Sequence, residues 1–269
     1  MNAQEEKPSS RNIPEPIKRE VRRRCGFGCV ICGMPLYEYD HMEGWAQVRR
    51  HDAEKITLLC DQHHKERTNE LLPIEDVMSA NTTPFNLRQG VSTPYDLHFS
   101  GRTPEVHIGS NVFTASLGPD RPNLFPIIVD QNVLVGFSWL EEHLYLRLLF
   151  FDEYNNQLLS VLDNQLLYSV EQWDIQLIGK KLIIRHAPRH IFLEIEFHPP
   201  GRLVIIKGRM LCNGVEILIS PENVKINNYT LAHSSSHNAF IGIGIGTNLV
   251  PGTAFAYRQV SRYLPNRST

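Results

Sequence analysis

Four residues carry the spacing of a metal site. Cys29-x2-Cys32 sits among Gly26, Gly28 and Gly33, and after 27 intervening residues comes Cys60-x2-His63. A two-residue gap lets both side chains of a tight turn reach one ion. Two such pairs close a tetrahedral Cys3His site of the structural zinc kind. The alternative is a set of buried thiols, since a free cysteine packs as a small hydrophobe. The concentration favours metal: residues 25–72 hold four of the five cysteines and four of the twelve histidines. Between the pairs lies Tyr39-Asp40-His41, and His64 directly follows His63. An Asp-His pair alone is usually a surface or core pair, and the zinc frame around this one is what makes it a candidate for chemistry.

These residues need elements to position them. Residues 36–41 read as a strand, 56–59 as its partner and 61–69 as a helix, so that zinc pins a β-hairpin to a helix. That frame brings His41, at a strand end, towards His64, in the first helical turn. Ahead of it, Pro14 and Pro16 sit where a helix can begin. Ile17, Val21 and Cys25 then repeat at intervals of four, giving one apolar stripe. This short helix is expected to pack on the hairpin, with Cys25 in the core rather than acting as a fifth ligand.

Here the chain resembles the HNH endonuclease family. Its ββα-metal core reads as a C-x2-C knuckle, a D-H or E-H pair and an N-L-x-L-L-C-x2-C-H-type segment. The matching residues are Cys29, Cys32, Asp40-His41, Leu58-Leu59-Cys60, His63 in place of the fourth cysteine, and His64. The resemblance covers residues 13–72. It implies that His41 is the general base that takes a proton from the attacking water, work suited to an imidazole titrating near neutrality. It also implies that Asp40 and His64 hold one divalent ion, Mg2+ or Mn2+, against the scissile phosphate of DNA, where the ion offsets the developing charge.

The chain departs from the family at Lys55, which stands five residues before Cys60 where the family has Asn. An amide both donates and accepts, so it can tie the loop carrying the catalytic His to its neighbour; an ammonium only donates. The loop is then held by other means, through His51 or Asp52, or the nuclease is weakened. Lys55 is otherwise a phosphate contact, as are Arg49 and Arg50. Arg19, Arg22, Arg23 and Arg24 form another basic cluster, with a solvated helix face as its alternative because Glu15 and Glu20 are interspersed.

Composition bounds the rest. The 269 residues are 42% hydrophobic and 21% charged, an ordinary globular balance, with a net charge of -2. Residues 1–72 carry twelve Lys plus Arg and twelve Asp plus Glu, so any DNA affinity comes from local clusters. No run of eighteen apolar residues occurs and the first residues lack an apolar core, so neither a membrane span nor a secretory signal is expected. The cysteine pattern, with Cys212 isolated, suits metal binding in a reducing compartment, and a cytoplasmic location is expected.

The expected fold class is α+β, a small zinc-stapled ββα-metal module followed by an all-β domain. Residues 1–12 read as a disordered tail, 13–72 as the HNH-like module, 73–105 as a Pro-punctuated linker with one possible helical turn, and 106–269 as a β-rich accessory domain. Runs at 124–129, 133–139, 144–151, 158–162, 173–178, 181–185, 191–197 and 203–210 are strand-like and bounded by turn signals. They predict an antiparallel sandwich or, second, a small β-solenoid. Gly242-x-Gly244-x-Gly246 lacks the strand-to-helix setting of a nucleotide loop and reads as a flexible strand end. His186, His190 and His198 read as scattered surface histidines rather than a metal site, and Trp139 and Trp173 as core. Recognition, regulation or homo-oligomer formation is the role left to the β domain.

Overall fold

Ile17 and Val21 do fall in a helix, α1 (Glu15–Arg24), which Cys25 ends as its C-cap residue, with proline in its first turn and Arg22, Arg23 and Arg24 in its last. That charge order suits the helix dipole. In the computed structural model, which describes residues 12–44 and 49–263, Val21 and Cys25 are fully buried. Of the expected tail, all but Asn12 lies outside the described residues. The hairpin follows as expected: β1 (Glu38–His41) pairs antiparallel with β2 (Ile56–Leu59), Glu38 opposite Leu59 and His41 opposite Ile56. All four residues of β2 are buried.

Helix α2 (Asp61–Thr68) is different in kind, since none of its side chains is buried. A helix without an apolar face is not held by a core. Its anchors are Cys60 and His63 at one end and Arg67 at the other. The core beneath β2 is built from Val21, Cys25, Cys29, Val30, Ile56, Leu58 and Leu59.

The segment expected as a linker is ordered at its start. It forms α3 (Ile74–Thr82), whose Val77 joins that same core, and the short α4 (Phe85–Gln89), ended by Gly90 in the left-handed region. The chain divides into two units: one runs to Thr93 and takes in Val170–Ile175, the other holds Pro94–Ser169 and continues from Gln176. Residues 73–93 therefore belong with the unit that holds Cys29, Cys32, Cys60 and His63.

The second unit is rich in strands. One sheet runs in the order Thr253–Tyr257, Ile241–Ile245, Asn123–Val129, Asn132–Leu140, His143–Phe151, Gln157–Leu162, Gln165–Tyr168, Tyr95–Asp96. The other continues from Lys181–Ala187 through His190–His198, Arg202–Cys212, Val215–Ile219 and Val224–Ile226 to Tyr229–Leu231. Central strands of the two sheets, His143–Phe151 and Arg202–Cys212, approach each other. Among the described residues neither sheet closes into a barrel. Successive strands pair antiparallel through two-residue turns with both central φ positive: Asp130-Gln131, Glu141-Glu142, Asp163-Asn164 and Asn213-Gly214. This is the hairpin turn whose twist matches that of the strands it joins.

Among the described residues four pairings are parallel: Ile241–Ile245 lies between Asn123–Val129 and Thr253–Tyr257 and pairs with both, Glu105–Ile108 runs beside Arg202–Cys212, and Ser235–His237 beside Asn111–Thr114. Ile241–Ile245 is buried throughout, which corrects the reading of its glycines as a flexible strand end. A Cβ on Gly242 would lie 2.5 Å from the Phe113 ring, so the glycine makes room for that ring. Both tryptophans expected in the core are half-buried and lie under arginines, Trp173 under Arg19 at 4.2 Å and Trp139 under Arg102 at 4.8 Å. Among the described residues, no helix is long and apolar enough to cross a membrane.

Candidate metal centre

The knuckle is shaped by backbone contacts on both sides. Cys29 N–H donates to Met34 O at 2.9 Å, Gly33 N–H to Cys29 O at 2.7 Å, and Val30 N–H to Leu58 O at 3.0 Å, tying the turn to β2. Gly33 has φ +76°, and a Cβ there would lie 2.1 Å from Asn86 Oδ1, so only glycine fits. The buried Asn86 amide donates to Gly26 O at 2.9 Å and Gly33 O at 3.1 Å. Thr93 donates to Cys32 O, and Phe85 N–H to Val30 O at 3.0 Å. The ordered segment 73–93 is thus a clamp on the knuckle, which sequence patterning does not reveal because each contact is long-range.

Cys29, Cys32, Cys60 and His63 converge, with one donor atom from each within 4.8 Å of all the others. Cys32 Sγ and Cys60 Sγ are 3.8 Å apart, and His63 Nδ1 is 3.4 Å from Cys29 Sγ and 3.1 Å from Cys60 Sγ. A zinc tetrahedron, with bonds of about 2.3 Å to sulfur and about 2.0 Å to nitrogen, has edges of about 3.8 Å between sulfurs and about 3.5 Å between sulfur and nitrogen. The donor set is compatible with structural zinc. Cys32 donates to Cys29, which draws the Cys29 thiol down to about 5 and pushes Cys32 up, while burial raises Cys60. Cys25 stays apart from this group: its sulfur lies near Thr57 Oγ1 and Asn81 Oδ1 in the core, and burial raises its pKa.

Beside this centre, Asp40 and His64 meet as expected. His64 Nε2 is 3.5 Å from Asp40 Oδ1, and its Nδ1 is 3.2 Å from Glu38 Oε2. Glu38 was missed in the sequence, although its position two residues before Asp40 on a strand puts both carboxylates on one face. Arg67 was missed as well, three residues after His64 on α2 and hence on the same side of the helix. Its Nε lies 2.9 Å from Asp40 Oδ2, and its Nη2 donates to His41 O at 3.3 Å and Met42 O at 2.8 Å. Burial raises the pKa of the Asp40 carboxyl, against the pull of Arg67, His64 and His41. Among the described residues, the Cys3His group is the one cluster of three or more metal-ligating side chains, so Asp40 and His64 form a pair rather than a closed site.

His41 ends β1 with Nε2 3.2 Å from His51 Nδ1. Burial lowers its pKa, with the neighbouring His51 adding to this and Asp40 opposing it. Lys55 turns to the loop after His41: its Nζ is 2.7 Å from Glu43 Oε1, and Met42 N–H donates to Lys55 O at 3.0 Å. Asp52 caps the short turn Ala53–Lys55 instead of holding His41. Arg49 and Arg50 are exposed. Three of the four arginines of α1 have structural partners: Arg22 is buried, Arg24 bonds Asn81 Oδ1 and the carbonyls of Ala53 and Ile56, and Arg19 covers Trp173. Arg23 alone of that cluster is exposed. In the other unit His186 stacks near His190 with ring centroids 6.3 Å apart, while His198 bonds Glu196 at 2.8 Å. Compared with family models, curated proteins and solved structures, the chain matches none.

Proposed function

We propose that this protein is a metal-dependent endonuclease of the HNH type that hydrolyses phosphodiester bonds in DNA, built on a zinc-stapled ββα-metal module. The observation that carries this reading is the meeting of Asp40 Oδ1 and His64 Nε2 at 3.5 Å, next in sequence to His41 at the end of the same strand. Cys29, Cys32, Cys60 and His63 hold the structural zinc. Asp40 and His64 hold Mg2+ or Mn2+, which supplies charge neutralisation at the scissile phosphate when bound. His41 removes a proton from water as the water oxygen bonds to phosphorus and the bond to the leaving oxygen breaks. Arg49 and Arg50 contact the DNA backbone. Lys55, occupied by Glu43, holds the loop of His41. The β-rich unit serves recognition, assembly or regulation. The five cysteines are unpaired, which favours a reducing compartment such as the cytoplasm.

A second reading, a nucleic-acid-binding module that does not cut, is favoured by Arg67, whose guanidinium already neutralises Asp40 at 2.9 Å. Plasmid DNA incubated with the full chain and Mg2+ or Mn2+ separates the two. Nicking by the wild type and not by His41→Ala supports the endonuclease. A gel shift without nicking supports the binder, and neither activity removes both.

A further inference from the structure

We infer that a cleft in the β-rich unit, lined by Thr247, Arg258, Gln259, Ser261 and Arg262, binds a phosphodiester group of DNA, with Arg258 as its charged contact. The inference rests on DNA as the partner, as both readings above do, and names how the β-rich unit takes part. The cleft measures about 430 Å³, within the range of small-ligand sites. Backbone and amide bonds shape it. Gly246 N–H donates to Tyr257 O at 3.0 Å, which brings Thr247 beside Arg258. Asn227 Nδ2 donates to Ser261 O at 3.2 Å, and Tyr263 N–H to Gly214 O at 2.8 Å, which fix the segment after Arg258.

The oxygens of a phosphodiester only accept hydrogen bonds. Every polar side chain that lines the cleft can donate: two hydroxyls, one amide and two guanidiniums, and among the described residues no carboxylate lines it. The two arginines differ. Arg262 gives Nη1 to Asp130 Oδ2 at 2.7 Å and Nη2 to Oδ1 at 2.8 Å, so its charge is already neutralised. Arg258 is exposed and makes, among the described residues, one hydrogen bond, from Nη1 to Thr247 O at 3.5 Å. The rest of its donor fork is open, and that fork matches the oxygens of a phosphate. The charge pattern of the chain agrees with this. Residues 223–269 contain Lys225, Arg258, Arg262 and Arg267 and no Asp or Glu, although the whole chain carries a net charge of -2. A stretch of one sign on such a chain is where an anionic polymer is attracted. Tyr229 adds a further donor: it is 50% exposed, and its ring lies 5.1 Å from that of Tyr257, the residue before Arg258. A phenol there can bond the neighbouring phosphate of the same strand.

The test measures binding of the full chain to two fluorescent DNA duplexes of unrelated sequence, by anisotropy over a series of NaCl concentrations without added Mg2+ or Mn2+. Wild type is compared with Arg258→Ala, Arg258→Lys and Lys207→Ala, the last an exposed cation elsewhere in the same unit. One phosphate contact contributes about 0.9 to the slope of log affinity against log salt, which amounts to about tenfold in affinity at 50 mM salt. Arg258→Ala should lose that much on both duplexes, with the gap narrowing as salt rises. Arg258→Lys should keep the slope, and Lys207→Ala should bind like wild type. Hydrogen exchange at residues 246–248 and 257–262 should slow when DNA is added. Wild-type affinity and slope in Arg258→Ala, equal losses in Arg258→Ala and Lys207→Ala, or unchanged exchange in those segments would overturn the inference. If Arg258→Ala binds normally while wild type nicks plasmid and His41→Ala does not, this inference alone falls. If DNA is bound through Arg258 but never cut, the inference stands and the endonuclease reading falls. If wild type binds no DNA, both fall together.

Discussion

Arg22 and Asp174, 152 residues apart in the chain, form a two-pronged ion pair: Arg22 Nε donates to Oδ1 at 2.8 Å and Nη2 to Oδ2 at 3.0 Å. Their side chains are 3% and 2% exposed. Arg22 also donates to Tyr39 Oη at 2.9 Å and Glu15 Oε1 at 2.6 Å. Burial works against the charge on Arg22, but the bonds to Asp174 and its neighbours outweigh it and raise its pKa. Residues 170–175 are part of the unit that carries the Cys3His group.

Breaking this pair from one side leaves a charge buried without its partner. Asp174→Ala should cost about 3–5 kcal/mol, while replacing both residues together, Arg22→Met with Asp174→Leu, should recover most of that loss. Urea unfolding of the full chain, followed by release of zinc to a chromophoric chelator, measures both. Equal destabilisation by the single and the double change would show that the charges are not coupled.

The clamp on the knuckle makes a second expectation. Asn86→Ala leaves the carbonyls of Gly26 and Gly33 without their donor in a buried site, at a cost of about 1–3 kcal/mol. A fragment of residues 13–72 lacks Asn86, Thr93 and Asp174 and should hold zinc more weakly than the full chain. Competition with a chelator compares the two, and equal affinities would exclude a role for the clamp.

Zinc itself is tested by its ligands. Because ion binding contributes directly to folding, Cys29→Ser or Cys60→Ser should remove the bound zinc and unfold the metal-bearing unit. The ligands must be deprotonated, so wild-type protein should release its ion as pH falls. Elemental analysis of protein prepared without chelators should find one zinc per chain, and finding none rejects the site.

His41 carries a pH expectation whose sign follows from its surroundings. Its pKa lies below the usual 6.5 because burial disfavours the cation and His51 adds to this. The neutral form therefore persists to lower pH in the folded chain than in the unfolded one. This stabilising contribution is present above the unfolded pKa and lost as pH falls through the folded one. The acidic limb of the cleavage profile should lie below 6.5, and His41→Ala should lower the rate by about two to four orders of magnitude. A profile rising only above that value would exclude His41 as the base.

The hairpin, both flanking helices and most of the antiparallel strands were legible in the chain because their signals are local. The Cys-x2-Cys and Cys-x2-His pairs each close within one turn, the four-residue repeat of Ile17, Val21 and Cys25 marks one helix and its C-cap, and apolar runs between turn residues mark strands. Asp40 and His64, which the family resemblance pairs, do lie 3.5 Å apart. Other features depend on residues far apart in sequence. Asn86 and Thr93 satisfy carbonyls of a knuckle some sixty positions away, so a stretch punctuated by prolines reads as a linker although its side chains complete the unit. The Glu141-Glu142 turn adopts positive φ at both residues without glycine or asparagine, imposed by the strands it joins. Ile241–Ile245 becomes an interior strand because two distant neighbours supply its hydrogen bonds and Phe113 needs the space at Gly242. Arg22, which looks in sequence like one more cation on a basic helix, is a buried structural residue because Asp174 meets it there. Local periodicity reports which face of an element is apolar, but the partner of a buried polar group is fixed only when the chain folds.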